Sequence, residues 1–367
     1  LSEDLSWEHP RFQKLTGTVG LNAVQQQNSY AGRYFIPNYN LYGFGGYAIE
    51  KWQHHQWEVQ GGIRWDYKRI EASRVKTATD IIDNNFNFNT LANSWNLLYK
   101  PTEAWKFNFS VSMASRAPHV NELLSDGIHH GTATYEKGDI NLVPEKSINL
   151  SLGLNWKSKN NRWYADMLGY SNHIRDFIYQ QPKPNEPVLT ISGAFPLIVY
   201  SQTNARLQGI DATLGVHPVK SIDWQNRFSF LSARDITRND WLIWMPANRL
   251  SSELTWDLPD HQRYSKSYIS VEAQAVFTQK HVPDEANGKQ DYKAPPPGYQ
   301  LVNLHAASTI SLFRTPVTVG VSVRNLFNVS YRDYLNSMRY FTNEMGRNIS
   351  IRLNIHLTSK ESTYEKK

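Results

Sequence analysis

The sequence predicts an all-β protein, a transmembrane antiparallel β-barrel with about 14 strands present. Three observations carry this reading. Long runs alternate apolar and polar residues with a period of two. Aromatic residues gather at the ends of those runs, at Trp52, Trp57, Trp95, Tyr99, Trp105, Trp156 and Trp163. The connections between runs alternate between short and long.

The alternation is plainest in four places. Trp57, Val59, Ile63, Trp65 and Tyr67 stand against Glu58, Gln60, Gly62, Arg64 and Asp66. Trp105, Phe107, Phe109, Val111 and Met113 stand against Lys106, Asn108, Ser110 and Ser112. Ile148, Leu150, Leu152, Leu154 and Trp156 alternate with Asn149, Ser151, Gly153 and Asn155. Ile349, Ile351, Leu353, Ile355 and Leu357 alternate with Ser350, Arg352, Asn354 and His356. In a strand, successive side chains point to opposite faces, so one face meets an apolar medium and the other meets water. The runs reach ~10 residues or more, whereas strands of soluble proteins average ~5–6. That length, with amphipathic rings at the ends, suits a membrane with aromatic girdles better than a soluble sandwich.

The connections set the topology. Short turns are expected near Gln53–Gln56, Pro101–Ala104, Ser158–Asn161, His217–Ser221, Pro259–Tyr264 and Arg314–Pro316. Long polar segments are expected at Ser29–Asn40, Ala72–Phe86, Ala117–Pro144, Gln181–Phe195, Asp235–Pro246, His281–Gly298 and Asn328–Met345. Outer-membrane barrels have short periplasmic turns and longer extracellular loops. The strand count reads as even, with both ends on the short-turn side. The barrel is assigned to residues 1–357 and a charged tail to 358–367.

Composition removes other classes. The chain has 367 residues, 40% of them hydrophobic, and no apolar run of the ~18 residues that a transmembrane helix needs. It has no cysteine, which excludes disulfide frameworks, cysteine nucleophiles and thiolate metal sites. The 39 basic and 33 acidic residues leave a net charge of +6, but the basic residues are scattered, so nucleic acid is not an expected partner. No G-x-S-x-G elbow, P-loop or H-E-x-x-H motif occurs, and no enzymatic activity is expected.

Six stretches, in order along the chain, resemble the TonB-dependent outer-membrane receptors. Leu41–Glu50 followed by Gly61-Gly62-Ile63-Arg64-Trp65-Asp66 is similar to the family's "G-x-R-[YW]-D" strand and the strand before it. Ser115-Arg116-Ala117-Pro118 with Asn121-Glu122-Leu123 resembles the "FRAP…NEL" boxes. Gly138–Ser147 resembles "G-[DN]-P-N-L-x-P-E-x-S", and Asn204–Asp211 resembles "N-A-x-x-x-G-[FIV]-[ED]". Val323–Asn328 with Tyr331 is similar to "V-x-N-L-F-[ND]…Y". The resemblance implies a 22-stranded barrel, of which this chain would be the C-terminal part, cut at a short-turn position. It also implies a plug and a TonB box that this chain does not show. The partners so implied are outer-membrane lipid, TonB acting through that plug, and a small-molecule or metal-chelate ligand.

Within the boxes, Arg116, Pro118, Asn121, Glu122, Asn141, Pro144, Glu145, Asn325 and Phe327 are expected to hold strand ends and loop bases. Proline lacks an N–H and can end a ladder, and Arg116 and Glu145 are placed to pair at the rim. The segment between the two strongest boxes holds the candidate ligand residues His119, His129, His130, Tyr135 and Glu136, with His129 and His130 as metal or haem ligands. The plainer alternative is a solvated loop whose histidines bind nothing. No resident cofactor is expected. The expected function is energised uptake of a scarce nutrient: an iron siderophore, haem, cobalamin or a metal ion. A passive porin-like channel and a carbohydrate or peptide uptake barrel are the alternatives, the latter resting on loop aromatics such as Trp241 and Trp244.

Overall fold

The computed structural model describes residues 1–32, 34–77, 80–284, 291–312 and 315–355. The proposed end of the last strand at Leu357 and the tail 358–367 lie outside the described residues. The first strands are β1 (Ser2–Glu8), β2 (Leu15–Asn28), β3 (Asn38–His54), β4 (Trp57–Thr77), β5 (Asp80–Thr102) and β6 (Trp105–Arg116). A short helix α1 (Val120–Leu124) and the small strands β7 (Asp126–His129) and β8 (Thr134–Lys137) follow. Next come β9 (Glu145–Lys157), β10 (Trp163–Thr190), β11 (Gly193–Val216), β12 (Ile222–Asp235) and the two-residue β13 (Asp240–Trp241). The chain continues through β14 (Arg249–Asp257), β15 (Tyr264–Val276), β16 (Tyr299–Leu312), β17 (Thr315–Arg324) and β18 (Asn348–Ile355).

These form one 18-stranded sheet. Apart from β7, β8 and β13, the other fifteen strands make an antiparallel meander in which each pairs with the next. Among the described residues β1 and β18 are the sheet's two edges, and no pairing joins them.

The meander has one strand more than the alternation suggested. β1 is only seven residues long, too short to stand out, yet its Leu5 and Trp7 point outward like the lipid-side residues of its neighbours. Two segments read as long loops are strand instead. Ala72–Thr77 continues β4 and Asp80–Phe86 belongs to β5, and Gln181–Phe195 belongs to the β10–β11 hairpin. At ~3.3 Å per residue the 21 residues of β4 reach about 70 Å, while a membrane crossing needs ~9–11 residues. These hairpins therefore project well past the apolar band. The segment Ala117–Pro144 is also structured, carrying α1 and the β7–β8 hairpin.

Register decides which face is apolar. Cross-strand partners share a face, and the row Phe109↔Leu152, Val111↔Leu150 and Phe107↔Leu154 is apolar throughout. Leu152 is 60% exposed and Leu353 62%, as residues turned toward lipid must be. On the short-turn side an unbroken row of rings runs across β4, β5, β6 and β9. Trp57 stacks on Tyr99 at 4.0 Å, Phe107 on Trp105 at 5.8 Å, and Trp105 meets Trp156 at 5.8 Å. Trp95, also expected at a strand end, instead lies within β5 opposite Gly61.

The opposite face is polar and bears a recurring cross-strand device. Tyr47 stands opposite Gly20, Tyr170 opposite Gly209 and Tyr164 opposite Gly215. Each ring covers its glycine: a Cβ at Gly209 would sit 2.4 Å from the Tyr170 ring. Covering a strand glycine with an aromatic restores the packing that the missing side chain forfeits. Beside Tyr47, Arg64 donates to Asp66 (Nε–Oδ2, 2.7 Å) and to Asn22 (2.8 Å). The "G-x-R-[YW]-D" pattern thus places a charged pair on the polar face and Ile63 and Trp65 on the lipid face.

A charge on the lipid face should cost roughly 2–4 kcal/mol near the bilayer midplane. Leu152→Arg is therefore expected to lower the yield of heat-modifiable, folded barrel sharply, whereas Ser151→Arg on the polar face leaves it near wild type. Equal losses would contradict the face assignment.

Candidate functional site

The long-connection end of the sheet gathers two clusters. The first is built on the segment between β6 and β9. Its apolar base consists of Leu123, Leu124 and Leu142, packed against Ile70 and Phe88 of the β4–β5 hairpin and Ile178 and Tyr200 of the β10–β11 hairpin. Leu123 is 1% exposed. Truncating a fully buried leucine costs ~2–5 kcal/mol, so this contact is a main anchor of the segment. Gly138 lets the chain close on α1, since a Cβ there would lie 2.5 Å from the Leu123 backbone carbon.

The box residues meet at the rim. Arg116 donates through Nε to Glu145 (2.7 Å) and through Nη1 to Glu122 (2.9 Å). Glu122 also accepts from the backbone N–H of His119 (2.7 Å), and Glu145 accepts from that of Ile178 (2.5 Å). One guanidinium fork thus ties the end of β6, the start of β9 and the first turn of α1. Burial alone would lower the Arg116 pKa, but the two carboxylates outweigh it and hold it above the ordinary value. Pro118 is fully buried, and its carbonyl accepts from Lys68 Nζ at 2.9 Å. Pro144 directly precedes β9, flanked by Val143, whose N–H and carbonyl both bond the Gln202 amide. Asn141 closes a local turn with Asp139 at 2.9 and 3.0 Å. At the far end of the chain Asn325, buried and at φ 51°, bonds both polar groups of Val329 at 2.8 Å. Phe327 stands apart, 68% exposed.

The candidate ligand residues separate into three places. His119 caps α1 beside Lys68 and Arg116. Tyr135 turns to Asp126, its hydroxyl donating at 2.7 Å, and Asp126 pairs with Arg74 at 2.7 Å. His129 Nδ1 lies 2.7 Å from Oε1 of the buried Glu136, while His130 is exposed at the hairpin tip. Glu136 Oε2 accepts from Tyr200 (3.2 Å), whose hydroxyl accepts from Asn121 and Gln180. Burial, then Glu136, pushes the Tyr200 hydroxyl up to about 12. Among the described residues, no three His, Asp or Glu side chains form a metal cage.

The second cluster joins three loops. Asp291 accepts from Arg339, from the Tyr340 hydroxyl (2.5 Å) and from the Trp244 indole (3.3 Å). Arg339 is almost fully buried, with its guanidinium over the rings of Tyr334 (4.7 Å) and Tyr340 (4.5 Å). Trp244 is held at φ 56°, a left-handed backbone that costs a non-glycine residue on the order of 1–3 kcal/mol. Between the two clusters lies a cavity of about 330 Å³, lined among others by Glu136, Gln180, Trp244, Tyr292, Arg339 and Tyr340. Sequence reasoning found Glu136 and noted Trp244. It missed Tyr200, Asp291, Arg339 and Tyr340; the Glu136–Tyr200 contact and those of Asp291 with Trp244, Arg339 and Tyr340 span 47 to 64 positions and leave no local motif.

The chain matches the family described as TonB dependent receptor-like, beta-barrel, over residues 3–326. It belongs to the TonB-dependent receptors. This family is an outer-membrane one, and its known members are transporters, not enzymes. Solved structures share the fold. The copper transporter OprC superposes with a TM-score of 0.76 at 16% identity, over 96% of this chain and 55% of that one. The FrpB iron transporter from Neisseria meningitidis (F5-1 variant) gives 0.66 at 15%, over 96% and 55%. The ferric yersiniabactin uptake receptor FyuA from Yersinia pestis gives 0.63 at 13%, over 96% and 53%. The chain therefore spans about half the length of these receptors.

The rim makes a pH prediction. The pKa of His119 is lowered, first by the desolvating surroundings and then by the Lys68 and Arg116 cations. A depressed histidine favours the folded state when neutral, so its contribution is present above the unfolded value near ~6.5 and fades as pH falls below it. Proteolysis within 117–144 should speed up between pH 7.5 and 5.5, and His119→Asn should flatten that difference. An unchanged difference in the variant would contradict this role for His119.

Proposed function

We propose that this receptor takes up a metal bound in an organic chelate, by energised transport across the outer membrane through TonB. The observation that carries the reading is the cavity of about 330 Å³ at which five connections meet. Its walls combine four aromatic rings with amides, hydroxyls and aliphatic side chains, and its charged groups, Arg339 and Glu136, are already spent on partners within the protein. A bare ion needs several converging anionic or imidazole ligands, which the described residues do not bring together. A chelate brings its own ligand shell and needs only flat faces and hydrogen bonds, which Trp244, Tyr292 and Tyr340 supply. Chelates of iron are named among the cargoes of the related folds, as in the ferric yersiniabactin receptor.

A second reading rests on one contact. Glu136 holds Nδ1 of His129 and leaves Nε2 free, the arrangement in which a carboxylate orients an imidazole toward a metal. One free imidazole nitrogen suits haem iron, which takes a single axial protein ligand. His130 has no comparable support and is not part of this reading.

The two separate in binding experiments on the full-length receptor, read by tryptophan quenching with an iron–catecholate chelate and with haem. Tyr340→Ala or Trp244→Ala should weaken catecholate binding about tenfold while His129→Ala leaves it unchanged. Loss of haem binding in His129→Ala, with no catecholate binding at all, would replace the first reading by the second. Uptake that persists in cells lacking TonB would overturn both in favour of a passive channel.

A further inference from the structure

The lipid-side face carries a basic patch that neither the uptake site nor the rim contacts of Arg116, Glu122 and Glu145 explain. Along one cross-strand row, His173 of β10 stands directly opposite Arg206 of β11, and Arg206 directly opposite Arg234 of β12. One step further along, Lys146 of β9 stands opposite Arg175. The Arg206–Arg234 and Lys146–Arg175 pairs put like charges in register, which repel and cost stability unless an anion lies across them. The sheet supplies none. Outward positions of β9 from Lys146 to Trp156, of β10 from Trp163 to Arg175, of β11 from Arg206 to Val216 and of β12 from Trp224 to Arg234 include no Asp or Glu. No carboxylate among the described residues pairs with Lys146, Arg175, Arg206 or Arg234.

Two further features point to an occupant. Arg206 Nε is buried without a hydrogen-bond partner, a donor left open in a protein that satisfies most of its others. A groove of about 770 Å³ also runs along the same outer face. One wall is apolar, formed by Leu91, Met113 and Ile148, and the other is basic, formed by Lys146, His173 and Arg175. Arg234 is steadied by lying 4.2 Å over the Trp241 ring, which stacks on His281 at 4.1 Å. Stacking fixes the guanidinium plane while leaving its N–H edge free to donate.

The patch sits where the apolar band gives way to the projecting hairpins. On β11, Arg206 lies four residues beyond the lipid-facing Ile210, and on β9, Lys146 lies six beyond Leu152. With the long connections outside, that level is the headgroup region of the outer leaflet. We propose that this face binds the phosphorylated headgroup of an outer-leaflet glycolipid, with its acyl chains along the apolar wall. Arginine forks match phosphate oxygens bidentately, and an apolar wall next to a basic one matches a lipid phosphate better than a free anion.

The test uses the full-length receptor purified in detergent, with bound lipid counted by native mass spectrometry. The probes are lipid A with two phosphates, lipid A with its phosphates removed, and inorganic phosphate alone. Bisphosphorylated lipid A should bind at a defined stoichiometry. Arg206→Gln with Arg234→Gln should weaken it by about tenfold or more, and Arg206→Lys with Arg234→Lys by much less. Heat-modifiable mobility confirms that each variant is folded, and Lys159→Gln, in a short turn at the other end, should change nothing. Equal binding of dephosphorylated lipid A, or an unaffected glutamine variant, would overturn the proposal. Displacement of lipid A by inorganic phosphate at similar affinity would also overturn it, by making the patch a free-anion site.

Discussion

In hydrocarbon no water is present to satisfy a backbone N–H or C=O, so every strand that crosses must pair along its length. The rest of the molecule follows from that constraint. Fifteen strands in unbroken antiparallel succession pair the backbone between β1 and β18, whose outer edges have no partner among the described residues. With the backbone spoken for, side chains have only two environments to choose between. Leucines, isoleucines and aromatics take the lipid side, while Arg64, Asp66 and the tyrosine-over-glycine pairs take the other.

Beyond the bilayer the constraint relaxes, and the polypeptide solves its polar groups one at a time. Arg116 answers two carboxylates at once. Asp291 gathers donors from Trp244, Arg339 and Tyr340 and so fastens three loops together. The left-handed backbone at Trp244 is the strained point of that knot, and its N–H reaches the Tyr334 hydroxyl at 3.4 Å. The cavity between the two knots is therefore preorganised: its walls are held by contacts made within the protein, not by the ligand.

The strands that cross the apolar band were legible because water and lipid impose different residues on alternate positions. Leu150, Leu152 and Leu154 against Ser151 and Gly153 leave little choice. The same strands became illegible above the band. Around Pro182, Pro184 and Pro187 of β10 both faces meet water or other loops, the alternation lapses, and a register shift separates Lys183 from Val188. Prolines and polar residues there read as loop, yet the hairpin continues. β1 escaped notice because seven residues hold too few alternations. At the rim, the pairing of Arg116 with Glu145 could be read from the boxes, whereas Glu122, six residues from Arg116, joins that pair only in the structure. The partners of Asp291, and Tyr200 against Glu136, come from distant segments, and only the folded chain brings them together.

The central claim is that the lipid-facing and polar faces alternate residue by residue through the band. Nitroxide labels placed singly at positions 148 to 156 of the full-length receptor in lipid bilayers test it directly, through collision with oxygen, which partitions into lipid, and with a water-soluble nickel chelate. Oxygen accessibility should peak at the even positions, Ile148 through Trp156, and nickel accessibility at Asn149, Ser151, Gly153 and Asn155. A profile that varies smoothly along the segment, or that peaks every three to four residues, would contradict the account.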